Sequence, residues 1–255
     1  MTRSARDDVL SERQFEQLVQ ACRQIEHEER EFQTRLAIHA AGRLGLRVGE
    51  IAHLSRSWIN DRERMVEVPA HEPCTKDAGS TCSYCASRAR NHVEAMSLSM
   101  EESRERVEKN HDRELSPEAR DELAQRLIEQ RSIAYEDAID RWWRPKTDAG
   151  ARTIPYDWDT RTELLVEEFD DRYEIWPTSQ STINRRIQTA AEIAGIEDRV
   201  YPHALRATAA SSHAKRDVSP HSLMAVMGWT NLNVARRYIA ASSSSAAKEI
   251  RSAHR

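Results

Sequence analysis

Apolar residues recur at helical spacing along most of this chain, and only three short stretches alternate with the period of a strand. A helix repeats its buried face about every 3.6 residues and a strand every 2. Phe15, Leu18 and Cys22 mark a helix over Ser11–Gln24 that opens on a serine cap. Leu36, Ala37, Ala40 and Ala41 mark a second over Glu29–Leu44; Gly45 ends it, and a third covers Val48–Leu54. Further helices are expected over 160–171, 179–194, 203–215, 220–227 and 234–240. Arg64–Val68, Trp142–Lys146 and Arg152–Tyr156 read as strands, the last two forming a hairpin with Gly150 in its turn. The expected fold class is mainly α with a small antiparallel β-sheet, an α+β chain.

His71 to His92 breaks this pattern. The stretch holds three of the four cysteines, in the order His71-x2-Cys74-x7-Cys82-x2-Cys85-x6-His92. In a reducing compartment such spacing favours a metal site over a disulfide framework. Cys82-x2-Cys85 has the spacing of a zinc knuckle, and Cys74 with His71 or His92 would complete a tetrahedron. Three unliganded thiols in a polar loop are the alternative. A zinc with four protein ligands would be structural, stapling a loop too polar to fold by apolar burial.

A charged helical segment follows over Ser99–Tyr135, broken at Ser116-Pro117-Glu118, which makes a good helix start. From Glu94 to Asp140 the formal charge sums to -7. Such a segment suits a solvated arm turned away from phosphate, or a contact between protomers.

Mean hydropathy is -0.76 and no apolar run approaches the roughly 20 residues of a membrane span. The opening 30 residues are charged throughout, unlike a signal peptide. A soluble, cytoplasmic protein without a membrane partner is expected. Net charge is -4, but Tyr201–Tyr238 carries a local +4, and distribution matters more than the sum for meeting phosphate. Only five of the 38 basic side chains are lysine, a composition that suits a high-GC, salt-adapted host.

Breaking a DNA phosphodiester by attack of a side-chain oxygen sets specific demands. Extra charge on the non-bridging oxygens suits two planar, permanently charged guanidiniums. The leaving 5′-oxygen needs a proton from lysine or histidine, and tyrosine can serve as nucleophile. The chain offers such a set in order. Gly45-Leu46-Arg47-Val48-Gly49-Glu50 opens a helix with Arg47 and Glu50 three apart, so the carboxylate can orient the guanidinium. Lys146 stands at the lip of the expected hairpin, and His203 and Arg206 share one helix face. Met227-Gly228-Trp229 ends a helix, and Tyr238 follows nine residues later. Such a set needs no catalytic metal and no nucleotide cofactor.

These segments resemble the boxes of the tyrosine recombinase (phage integrase) family. They are Gly45–Glu50, Pro145-Lys146-Thr147 with Arg152-Thr153-Ile154-Pro155, Pro202–Arg206, Met227–Trp229 and Arg236-Arg237-Tyr238. The likeness covers about Leu10 to Ala240 except an insertion over residues 70–138, whose cysteines resemble an insert of haloarchaeal integrases. It implies the recombinase catalytic-domain fold. It also implies that Arg47 and Arg206 clamp the phosphate, Lys146 protonates the leaving oxygen and His203 assists proton transfer. Trp229 would pack near the phosphate, and Tyr238 would form a 3′-phosphotyrosine.

The family resemblance implies a site-specific recombinase acting on double-stranded DNA as a homotetramer, with residues 241–255 as a tail packing on a neighbour. The family's usual N-terminal clamp domain has no counterpart before Arg47, so an accessory DNA-binding protein is a further expected partner. A type IB topoisomerase and a non-catalytic accessory protein of a mobile element are the competing readings.

Overall fold

The computed structural model describes residues 8–111, 115–140 and 143–240; the expected tail over 241–255 lies outside them. The chain divides into two compact units, residues 1–70 with 145–255, and residues 71–144.

The first unit begins with helices α1 (Glu12–Ala21), α2 (Glu28–Gly42) and α3 (Val48–Ile51), then strands β1 (Ile59–Asn60) and β2 (Met65–Val68). The second unit holds α4 (Ser83–Met96), α5 (Met100–Asn110), α6 (Pro117–Arg131) and α7 (Tyr135–Asp140). The chain then returns to the first unit with β3 (Arg152–Pro155), α8 (Thr160–Arg172), α9 (Gln180–Ile193), α10 (Pro202–Lys215), α11 (Pro220–Met227) and α12 (Leu232–Ala240). This is a mainly α architecture with one three-stranded antiparallel sheet, as the periodicity predicts.

Helix starts follow local cap chemistry. Ser11 and Gln14 form a reciprocal capping box on α1, and Ser179 and Ser219 cap α9 and α11 through their hydroxyls. Helices α2 and α10 pack together and are buried almost all round, α2 through Phe32, Leu36 and Ile38, α10 through a run of alanines. Small side chains let the pair approach closely, which fixes the N-terminal turn of α10 where His203 and Arg206 sit. Gly42 lets α1 come equally close to α2: a Cβ there would lie 2.3 Å from the Phe15 ring.

The sheet departs from expectation. Of the strand expected over Trp142–Lys146, residue 142 lies outside the described residues, and the described residues 143–146 form no strand and no hairpin with Arg152–Tyr156. Strand β3 pairs instead with β2, with Val66 opposite Ile154 and Glu67 opposite Thr153, and β1 extends the sheet on the other side of β2. Pro145 has no N–H to give a ladder, and Asp148–Gly150 winds into a 3₁₀ turn. Lys146 therefore lies exposed in a bend that enters this turn.

In the second unit α5 packs on α6 and α4 on α7. The break expected at Ser116 is present: its hydroxyl caps α6, with Pro117 in the first turn. Arg104 grips Asp121 through two hydrogen bonds of 2.7 and 2.8 Å, tying α5 to α6.

Candidate active site

Glu50 organises the charged centre of the first unit. Only 2% exposed, it sits in the single turn of α3, where its Oε2 accepts from the Arg47 backbone N–H at 2.8 Å. The Arg47 side chain curls onto the same carboxylate, Nη1 donating to Oε1 at 2.7 Å. Arg152 reaches it from β3 with two donors, Nη1 to Oε1 at 3.0 Å and Nη2 to Oε2 at 2.9 Å. Arg206 brings Nη1 to 4.0 Å from Oε2. Burial alone would raise the Glu50 pKa, yet Arg152, then Arg206 and Arg47, outweigh it and hold the carboxyl at about 2. Three guanidiniums against one carboxylate leave an uncompensated positive centre, the charge that a phosphate would meet.

The same three arginines grip consecutive carbonyls at the end of α11. Arg152 Nε donates to Val226 O at 2.6 Å, Arg206 Nη2 donates to Met227 O, and Arg47 Nη2 donates to Gly228 O at 2.8 Å. A helix leaves its last carbonyls without intrahelical partners, and their negative end of the dipole favours cations. Arg206 also donates to Gly45 O and is 4% exposed. Burial and the neighbouring Arg47 push its pKa down to about 9, so it keeps its charge at neutral pH.

Gly228 closes α11 in the left-handed region at φ +57°, and a Cβ there would lie 2.7 Å from Ala149 O. The turn carrying Lys146 thus packs directly on the helix end. Gly150 completes the fit, since a Cβ on it would meet Pro145 at 2.3 Å and Arg47 Nη1 at 3.3 Å.

His203 lies in the first turn of α10, open to solvent on one side. Partial burial, then Arg206, Arg47 and Lys146, lower its pKa, so the imidazole is neutral at pH 7 and can accept a proton. Tyr238, on α12, stacks on Trp229 with ring centroids 5.3 Å apart and planes 15° from parallel. Both rings pack against a core that includes Leu223, Met227 and Ala235. Tyr238 is near enough to Arg206 for their charges to interact.

The expected residues are thus brought together in three ways: Arg47, Glu50 and Arg206 by direct contact, His203 and Lys146 through charge, and Tyr238 through its stack on Trp229. In the sequence Arg152 stands out only as part of the box Arg152-Thr153-Ile154-Pro155, with no role of its own. The missed signal was its position: it shares a strand face with buried Ile154, where a lone charge needs a partner.

In the second unit, the Sγ atoms of Cys74, Cys82 and Cys85 lie within 4.8 Å of one another. Neither His71 nor His92, the histidines expected to join these thiols, belongs to that group. Hydrogen bonding with Cys74, then burial, pushes the Cys85 thiol well up. Burial lowers the Lys76 ammonium beside them to about 8.

Residues 152–245 match the model of the family described as Phage integrase family. That span includes Arg152, His203, Arg206, Trp229 and Tyr238, while Arg47, Glu50 and Lys146 precede it. Among solved structures, one described as "Crystal structure of XerA recombinase" is similar at 16% identity and a TM-score of 0.45. The alignment covers 97% of this chain and 63% of that one, so the chain spans less than two thirds of the length of the structure it matches. No curated protein matches the chain.

Proposed function

We propose, from the match of residues 152–245 to the phage integrase family model, that the chain cleaves and rejoins double-stranded DNA through Tyr238. The observation that carries this reading is the gathering of Arg47, Arg152 and Arg206 on the single carboxylate of Glu50, in the same unit as Tyr238.

Arg47 and Arg206 clamp the non-bridging oxygens of the scissile phosphate, while Arg152 holds Glu50 in place and does not touch substrate. Tyr238 Oη attacks phosphorus as its proton passes to the neutral His203 imidazole. The Tyr–O–P bond forms, the P–O5′ bond breaks, and Lys146 Nζ supplies the proton to the leaving 5′-oxygen. Exposure suits Lys146 to this task, because its flexible stem can follow the leaving strand. Attack by a 5′-hydroxyl reverses the steps and releases Tyr238. The energy of the broken bond is held in the phosphotyrosine, so religation needs no nucleotide. Stacking on Trp229 restrains the Tyr238 ring and limits the conformations it must give up to attack.

Site-specific recombination by a tetramer on two duplexes, with a partner supplying further DNA contacts, is the proposed setting. Phosphate-gripping arginines carry no sequence information directly, so base selection falls to other contacts.

A nicked or half-site duplex tests the chemistry. An SDS-resistant protein–DNA adduct is expected with the parent chain and absent with Tyr238→Phe. No adduct on any DNA, including the attachment region of the native element, refutes the reading. Relaxation of supercoiled plasmid by a monomer would point to topoisomerase action. A 5′-bridging sulfur at the scissile phosphate, which leaves without a proton, should restore cleavage to Lys146→Ala but not to Arg206→Ala.

A further inference from the structure

The unit over residues 71–144 buries little apolar volume. Among its described residues, the buried apolar side chains larger than cysteine are Val107 and Trp143; Ala89, Ala124 and Ala138 supply much of the rest. Domains this small commonly need a staple beyond their hydrophobic core.

Two chain segments place the three thiols together. Cys82 occupies the cap position of α4, and Cys85 lies in its first turn, 1% exposed. Cys74, 5% exposed, comes from the preceding loop, which folds back through a tight turn. In that turn Asp77 N–H donates to Ser80 O at 2.9 Å and Ser80 N–H donates to Asp77 O at 2.8 Å. Ala78 and Gly79 carry the turn at φ +48° and +87°, with open space around Gly79. Glu72 and Trp143 pair through two backbone hydrogen bonds of 2.9 and 3.1 Å, fixing the loop's entry against the unit's exit. The result is a convergence of three sulfur donors within 4.8 Å, the size of a ligand shell around one ion.

We propose that Cys74, Cys82 and Cys85 bind one structural zinc ion as thiolates, and that this ion holds the 71–144 unit in its folded form. Sulfur donors select zinc over magnesium or calcium. The chemistry is independent of Tyr238, and its failure would leave DNA cleavage untouched. Binding releases the protons of the three thiols, and the positive Lys76 offsets the negative charge that three thiolates leave on a zinc.

Metal analysis of the full chain, purified without chelator under reducing conditions, is the first test. About one zinc per chain is expected, with X-ray absorption at the zinc edge showing three sulfur neighbours and one nitrogen or oxygen. Cys85→Ser and Cys74→Ser should each lose most of the zinc, whereas Cys22→Ala, on a cysteine in the other unit, should keep it. If either serine variant misfolds, hydrogen exchange on the parent chain decides instead. Removing zinc with a chelator should speed exchange in α4 far more than in α2, and readding zinc should reverse it. A folded parent chain without zinc, even after refolding with zinc present, overturns the proposal. Zinc with fewer than three sulfur neighbours, or a disulfide among the three cysteines in the reduced protein, overturns it as well.

Discussion

Replacing Glu50 by glutamine tests the charged centre at its hub. The substitution keeps size and shape but removes the charge that faces Arg47, Arg152 and Arg206. It also turns an amide NH2 toward guanidinium donors, so at least one of the four hydrogen bonds on that carboxylate becomes a donor–donor clash. Displacement of the Glu50 pKa from 4.5 to about 2 corresponds to about 3 kcal/mol of folding stability, at roughly 1.4 kcal/mol per pH unit. The loss expected when one partner of a buried ion pair is removed is similar, roughly 3–5 kcal/mol.

Because the folded pKa is depressed, this stabilisation is fully present above about pH 4.5 and is lost as pH falls toward about 2. The gap between parent and E50Q should therefore be constant from pH 7 to about 5.5 and narrow below 4.5. Equilibrium urea unfolding followed by tryptophan fluorescence reads it, because four of the six tryptophans (58, 158, 176 and 229) lie in the unit that contains Glu50. At a slope of ~2–3 kcal/mol per M, the midpoint should drop by about 1–1.5 M. An E50Q midpoint within ~0.2 M of the parent at pH 7 would refute the idea that this carboxylate holds the three arginines together.

Two other substitutions probe the frame around it. Gly228→Ala places a Cβ against Ala149 O in a left-handed conformation, which alone costs about 1–2 kcal/mol, so a lower melting temperature and slower adduct formation are expected; parent-like values would contradict the close approach of the Lys146 turn. Arg152→Lys keeps the charge but cannot span Glu50, Gly150 O and Val226 O together; adduct formation should slow at least ~10-fold, about 1.4 kcal/mol in the barrier, while affinity for uncleaved DNA stays near that of the parent. An equal fall in both would make Arg152 a phosphate ligand instead of a positioning residue.

Much of the helical frame was legible because its signals are local. Ser11, Ser116, Ser179 and Ser219 bond to amides three residues ahead, so a four-residue window shows each helix start. The sheet was not legible in the same way. Strand β3 finds its partner some 85 residues upstream in β2, across the whole 71–144 unit, whereas the hairpin reading looked only to neighbours. Motifs drew attention to Arg47, Glu50 and Arg206, but nothing in their spacing shows that Arg152 links them, since that link depends on strand pairing. The cysteine grouping was legible from spacing, while the histidines beside it were not, because proximity in sequence did not bring His71 or His92 to the thiols.

The grip on Val226, Met227 and Gly228 uses main-chain oxygens, which no change of side chain can delete. Residue 226 is thus free to drift in identity so long as the chain keeps its path, whereas Met227 is also held by its place in the core. Length has no such freedom. One residue added or removed between Leu223 and Trp229 would shift each carbonyl by a place, offering every arginine its neighbour's oxygen. What the three arginines fix in this segment is a count of residues.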